Sequence, residues 1–325
     1  MDGRYLLLGA GFSRTWGGLL ASEVFGHLLS DRTIRERIGL TELLKKHDRD
    51  RSGYEGALSE IQDRAQRGDA MAKVDLMVFQ AAVRKIFLAM NAHLIALPGI
   101  DIGNSVAASM RNFLNRFDAI FTLNQDILLE RHYAAREVQN PGNRAVILPG
   151  IKPPHPQLTT LEPQRWLTEQ WTVEDASPNV TASRNEQPLF KLHGSSNWRR
   201  SDNQDLLIMG GQKMKAVRES TVLTWYHDEF ARRLAAPGAR LMTIGYGFQD
   251  QHVNEPIYKT PNLPIFVVDP AGLQIGLAPR DRQPGGIPVP NPLEQKNIIG
   301  LSTRMLNTTF AADALERQQL ETFFE

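Results

Sequence analysis

Five short apolar runs punctuate the chain: Tyr5–Leu8, Phe117–Phe121, Leu189–Leu192, Leu241–Ile244 and Ile265–Val268. They are continuous rather than alternating, as expected of strands covered on both faces, and each stops in glycine or polar residues. Between them the apolar spacing changes to three and four. Val24, Leu28 and Leu29, then Ala57, Leu58, Ile61 and Ala65, then Leu76, Phe79, Val83, Ile86, Phe87 and Met90 each mark one face of a helix. A further helix is predicted over Thr224–Ala235. Strands alternating with helices predict an α/β chain on a doubly wound parallel sheet. Residues 22–103 form a helical insertion within one domain spanning 1–325.

Residues 139–188 lose this periodicity. Pro-Gly and Pro-Pro steps break them, so an irregular excursion is expected, with a short helix around Trp166–Trp171. A segment of that length is uncommon unless it covers a site or a neighbour. Leu206–Met209 reads as a short strand, residues 279–292 as a surface loop, and Phe310–Phe324 as an amphipathic helix whose Leu315, Leu320, Phe323 and Phe324 either form a patch or close the core.

The polar residues gather at the strand ends. After the first strand, Gly9-Ala10-Gly11-Phe12-Ser13 lets the backbone turn tightly and approach a ligand, and a helix expected near Trp16–Leu20 would aim its amino end at a phosphate. A third glycine, as in G-x-G-x-x-G, is replaced by Arg14, and the turn also reads as plain packing. Thr122-Leu123-Asn124-Gln125-Asp126 lies between a strand and a helix, in the crevice where open α/β sheets bind ligands. A simple helix cap would account for Asn124 or Asp126 alone. His193-Gly194-Ser195-Ser196-Asn197-Trp198 follows the third strand, Gly245-Tyr246-Gly247 the fourth, and Asp269-Pro270 the fifth.

Composition narrows the chemistry. Thirty-seven Lys plus Arg balance thirty-six Asp plus Glu, a net charge of +1, so no general attraction to nucleic acid or anionic membrane is expected. The 325 residues include no cysteine, which excludes disulfides, thiolate catalysis and a cysteine zinc site. No H-E-x-x-H or calcium-loop pattern supports a metal, and no G-x-S-x-G elbow marks a serine nucleophile. The first strand begins within a few residues of Met1 and no apolar run reaches spanning length, so a cytoplasmic protein is expected.

The four motifs Gly9–Ser13, Thr122–Asp126, Leu192-His193-Gly194 and Gly245-Tyr246-Gly247, in this order, resemble the sirtuin superfamily of NAD-consuming proteins. The His193–Trp198 and Gly245–Asn254 stretches look closest to bacterial sirtuin-like domains of antiphage defence. The departures matter as much. Leu123 stands where sirtuin deacylases usually carry Gln, Arg14–Gly18 replaces their cofactor-loop motif, and the four-cysteine zinc module after the His-Gly motif has no counterpart. The resemblance therefore implies a Rossmann-like, zinc-free domain that takes NAD as substrate and cleaves it to ADP-ribose and nicotinamide. It further implies a gated effector of abortive infection, self-associated or controlled by a HerA-type ATPase or an Argonaute-like protein. A non-catalytic NAD or ADP-ribose sensor, and a deacylase or ADP-ribosyltransferase, are the alternatives.

Cleaving the nicotinamide–ribose bond passes through an oxocarbenium-like sugar. Asn124 has the donor and acceptor to hold a ribose hydroxyl and orient water, His193 can accept a proton, and Asp126 can orient neighbours or favour the cation. Gly9, Ala10, Gly11, Ser13, Thr122, Gly194, Gly245 and Tyr246 are expected around the cofactor. Asp269 reads either as a ribose acceptor or as a turn residue.

Overall fold

The computed structural model describes residues 3–50, 52–102, 109–134, 144–154, 162–174, 183–211, 213–276 and 292–325. All five predicted strands form, as β1 (Arg4–Leu8), β2 (Ala119–Thr122), β6 (Glu186–Lys191), β9 (Arg240–Ile244) and β10 (Pro264–Val268). Two strands that the apolar pattern missed complete the sheet, β3 (Ala145–Ile147) and β11 (Asn297–Ser302). The seven strands run in the order β11-β10-β9-β1-β2-β6-β3, and every pairing is parallel. From β1 the chain builds outward through β2 and β6, then returns to lay β9 against the other side of β1. That reversal is the topological switch of a doubly wound, Rossmann-like sheet.

Both faces are covered, which explains the continuous apolar runs. Leu6, Leu8, Ile120, Met242, Ile244, Phe266 and Val268 point to one core; Tyr5, Leu7, Phe121, Leu241, Ile265 and Val267 point to the other. The first core is closed by the helical block, α2 (Ala21–Ser30), α3 (Arg32–Arg35), α4 (Ile38–Arg49), α5 (Gly53–Gln66), α6 (Ala70–Ala96) and α7 (Met110–Leu114). Its other cover is the chain's last segment, which forms two helices, Leu306–Ala311 and Ala314–Glu321, and a final turn instead of one helix. Leu320, Phe323 and Phe324 are buried there against Phe113 and Phe117, so they close the core; Leu315 alone of the four is exposed.

The opposite core lies under α10 (Thr221–Leu234), α11 (Gln251–Lys259) and a small second sheet. That sheet, in the order β4-β5-β7-β8, consists of Ile151–Lys152, Trp171–Val173, Gly194–Arg199 and Asp205–Leu207. The described parts of 139–188 are thus short strands and a helix, α8 (Pro163–Thr168), that ends before Trp171. Trp166, Trp171 and Trp198 are fully buried and anchor this layer. The Pro-Gly step at 141–142, Pro156 and the loop at 279–291 lie outside the described residues. Among the described residues, no helix is long and apolar enough to cross a membrane.

One buried ion pair ties the two sheets together. Lys191, the last residue of β6, places Nζ 2.6 Å from Glu130 and also donates to the Asp126 carbonyl, while Ser195 of β7 donates to the same Glu130 oxygen at 3.2 Å. Both charged side chains are essentially inaccessible to solvent. Removing one partner strands the other charge, which costs about 3–5 kcal/mol. Lys191→Met should therefore lower the chemical-denaturation midpoint substantially, whereas the double change Lys191→Met with Glu130→Leu should recover much of the loss.

Candidate active site

The hydrogen-bond ladder continues past the strand ends and fixes the loops there. Gly9 N–H donates to the Ile244 carbonyl, Leu123 N–H to Leu8, Leu192 N–H to Thr122, Gly245 N–H to Val268 and Asp269 N–H to Ser302, all at 2.9–3.0 Å. The strand-end segments from β1, β2, β6, β9 and β10 are thereby held at one edge of the sheet. At the switch point the turns after β1 and β9 touch backbone to backbone. Gly11 N–H donates to the Gly245 carbonyl at 3.0 Å, a Cβ on Gly11 would lie 2.7 Å from Gly245 Cα, and Gly245 has φ +59°. The helix following β1 is α1 (Ala10–Arg14), which starts within the turn rather than near Trp16–Leu20. Gly11 is thus required by protein packing, and its amide is already bonded to protein.

Above this floor lies a cavity of about 750 Å³, a size suited to a cofactor. Gly9, Ala10, Gly11, Asn124, Asp126, His193, Gly245, Tyr246 and Asp269 all line it. Ser13, Thr122 and Gly194 do not. Ser13 and Thr122 lie beneath it, where Ser13 Oγ accepts from Asn124 Nδ2 at 2.8 Å and Thr122 Oγ1 from Asn124 N–H at 3.0 Å. Gly194, at φ +72°, packs against the backbone of Leu206. Asn124 is therefore clamped on its donor side, while its Oδ1 is buried without a partner. A buried acceptor without a partner is costly, and a hydrogen-bond donor brought to it would offset that cost.

Asp126 Oδ1 accepts from Leu128 N–H at 3.0 Å, so this carboxylate caps the helical turn after β2 while also facing the cavity. Gln125, singled out for no role by its sequence, is buried and its amide donates to the His193 carbonyl at 3.3 Å and to that of Ile208. Tyr246 donates to Asn254 at 2.6 Å. Asp269 Oδ1 accepts from Ala271 N–H at 2.9 Å, as a turn residue does, and burial raises its carboxyl pKa.

His193 brings with it a cluster that sequence reading did not find. Its Nε2 lies 3.0 Å from Nε2 of His252, and the His252 ring is 5.3 Å from that of His227. His227 Nε2–H donates to the Leu192 carbonyl at 3.1 Å. Beside them Lys213 bridges Asp250 at 2.7 Å and Glu55 at 2.8 Å. Burial holds His193 well below its ordinary value, His227 at about 4, and His252 lowered, so the three rings are neutral at pH 7. Burial works against the Asp250 carboxylate, and its interactions with His193 and with the Lys213 ammonium, which also hydrogen-bonds it, outweigh burial and lower its pKa. Donor atoms of His193, Asp250 and His252 lie within 4.8 Å of one another, a possible metal set that the expectation of a metal-free site had not included. Asp250 and His252 stand two residues apart just after Gly245-Tyr246-Gly247, and that spacing was the available signal. Glu55, from the distant α5, carried none.

Residues 118–260 match the family model of the SIR2-like domain, a sirtuin-like family whose substrate is NAD. The matched segment holds β2, β6, β9 and the histidine cluster, and β1 with its glycine turn packs onto it from outside. No curated protein matches the chain.

The buried histidines set an acid limit on stability. Their folded pKa values are depressed, so their contribution is complete above the unfolded value of about 6.5 and is lost as pH falls, for His227 between about 6.5 and about 4. The urea midpoint should drop between pH 7 and pH 5. In His227→Gln, which keeps a donor for Leu192, the drop should be smaller.

Proposed function

We propose that this protein hydrolyses NAD to ADP-ribose and nicotinamide. The observation that carries the reading is the joint presence, in one cavity at the switch point of a sirtuin-like sheet, of the unpaired Asn124 Oδ1 and the neutral imidazole of His193. Clamped through its amide by Ser13, Asn124 accepts from a ribose hydroxyl or the attacking water. Water adds to C1′ as the bond to nicotinamide breaks, and His193, neutral and therefore able to accept, takes the proton. Asp126 favours the developing positive sugar. Gly9, Ala10 and Gly245 border the dinucleotide, Asp269 accepts from the adenosine ribose, and the guanidinium groups of Arg14 and Arg304 at the cavity wall meet the pyrophosphate.

Hydrolysing a central cofactor calls for control. The reading includes a gated effector of antiphage defence, assembled as a homo-oligomer or with a separately encoded HerA-type ATPase or Argonaute-like protein. The helical block offers a place for such contacts, because Ile38, Met71 and Met77 are more than half exposed on it.

Purified protein incubated with NAD should release nicotinamide and ADP-ribose. Asn124→Ala and His193→Ala should each lower turnover by about 10²- to 10⁴-fold without unfolding the chain, and the double variant should be little worse than the poorer single. Binding of NAD without release of nicotinamide would assign a sensor, and turnover only with an acylated peptide a deacylase.

A further inference from the structure

The segment after β6 and the start of α11 bring three metal-binding side chains together. His193 lies between β6 and β7, Asp250 is the N-cap of α11, and His252 stands in its first turn. One nitrogen or oxygen of each lies within 4.8 Å of the others. The two rings meet Nε2 to Nε2 at 3.0 Å, so their donor atoms point into one gap. A tetrahedral ion with nitrogens at about 2.0–2.1 Å holds them about 3.3 Å apart, so the rings need to part by only about 0.3 Å. Without a metal, one ring donates its Nε2–H to the other. Moving that proton to Nδ1 of the same ring leaves both lone pairs facing the gap.

The Asp250 side chain is turned to this gap at the expense of its usual task. Aspartate is favoured at an N-cap because its carboxylate accepts from the first amides of the helix. Asp250 holds that position and makes no such bond. Its carboxylate instead accepts from Lys213 at 2.7 Å and lies against the histidine nitrogens. A carboxylate accepts at about four lone-pair positions, so the lysine leaves room for a metal. The local charges suit a cation, because Asp250 and Glu55 outnumber the single Lys213 they share.

We propose that His193, Asp250 and His252 form a binding site for one divalent transition-metal ion of the Zn²⁺ class, with water completing its coordination. Two imidazole nitrogens and one carboxylate suit such ions, whereas Mg²⁺ and Ca²⁺ call for oxygen ligands throughout. An ion can reach the gap from two sides. His193 and Asp250 line the cavity of about 750 Å³, and His252 lines a second one of about 860 Å³ between α10 and α11. Metal uptake does not depend on NAD hydrolysis. A ring that has given its lone pair to a metal has none for a proton, so uptake and the role of His193 in that hydrolysis exclude one another.

Full-length protein freed of metal with a chelator and titrated with Zn²⁺ in a calorimeter should take up one ion, and Zn²⁺ should raise its melting temperature. Excess Mg²⁺ should not compete. His252 is part exposed at the start of α11, so it can be replaced without opening the core. His252→Ala and the isosteric Asp250→Asn should each weaken Zn²⁺ binding by more than about 100-fold, because even the partners of metal ligands are worth about 10- to 100-fold. Neither variant should melt higher with Zn²⁺, and melting without metal checks that both are folded. Unchanged Zn²⁺ affinity in either folded variant assigns the ion to other histidines and overturns the site, as does wild-type protein that takes up no Zn²⁺. The NAD assay, run on metal-free protein, is read separately, so failure of the hydrolase reading leaves the metal site standing and the reverse.

Discussion

The contact on which the molecule depends is the backbone approach of Gly9 and Gly11 to Gly245. It occurs where β1 and β9 part to carry their connections away, and it is possible only because no side chain intervenes. Closing that gap keeps the two halves of the sheet in register and gives the cavity a continuous floor. Widening it would shift the strand-end turns after β1 and β9 together. The same glycines that suggested a phosphate cradle are thus first a device for assembling the sheet, and the ligand cavity follows from that assembly.

The five central strands, the helical block and the strand-end motifs were legible because burial on both faces of a parallel sheet leaves an unmistakable apolar run. The edge strands were not. β11 is half exposed and carries Asn297, Gly300 and Ser302, and β3 has three residues, so neither has the signature of a covered strand. The β7 segment was placed with the polar residues that follow the third strand because Gly194 to Asn197 are small or polar. The two serines instead bond across the layer, Ser195 to Glu130 and Ser196 to the Gln125 carbonyl while accepting from Asn91, and the Asn197 amide is buried with no partner among the described residues. Of the candidate site, Asn124 and His193 were visible as polar residues at strand ends. Lys213 and Glu55 were not, since what brings them together is the tertiary packing of α5 against the region after β8.

Charge in the site is arranged by what each group can bond. His193, which is buried, and His227, held on the Leu192 carbonyl, are neutral because ionising them would require a solvation their surroundings do not supply. Permanent charges, Lys213, Asp250 and Glu55, occur only as a bonded group. A site built this way holds an unprotonated imidazole at neutral pH.

The placement of β1 also bears on synthesis of the chain. This strand is made first, yet it sits in the middle of the finished sheet, and its pairing with β9 must wait for residues 240–244. At about 5–20 residues per second that wait is on the order of 10–50 s on the ribosome. Until then the glycine turn has no Gly245 to meet, and the cavity lacks one wall. A nascent chain therefore carries Asn124 and His193 before the floor beneath them has formed, and the cavity arises only once most of the chain has been made.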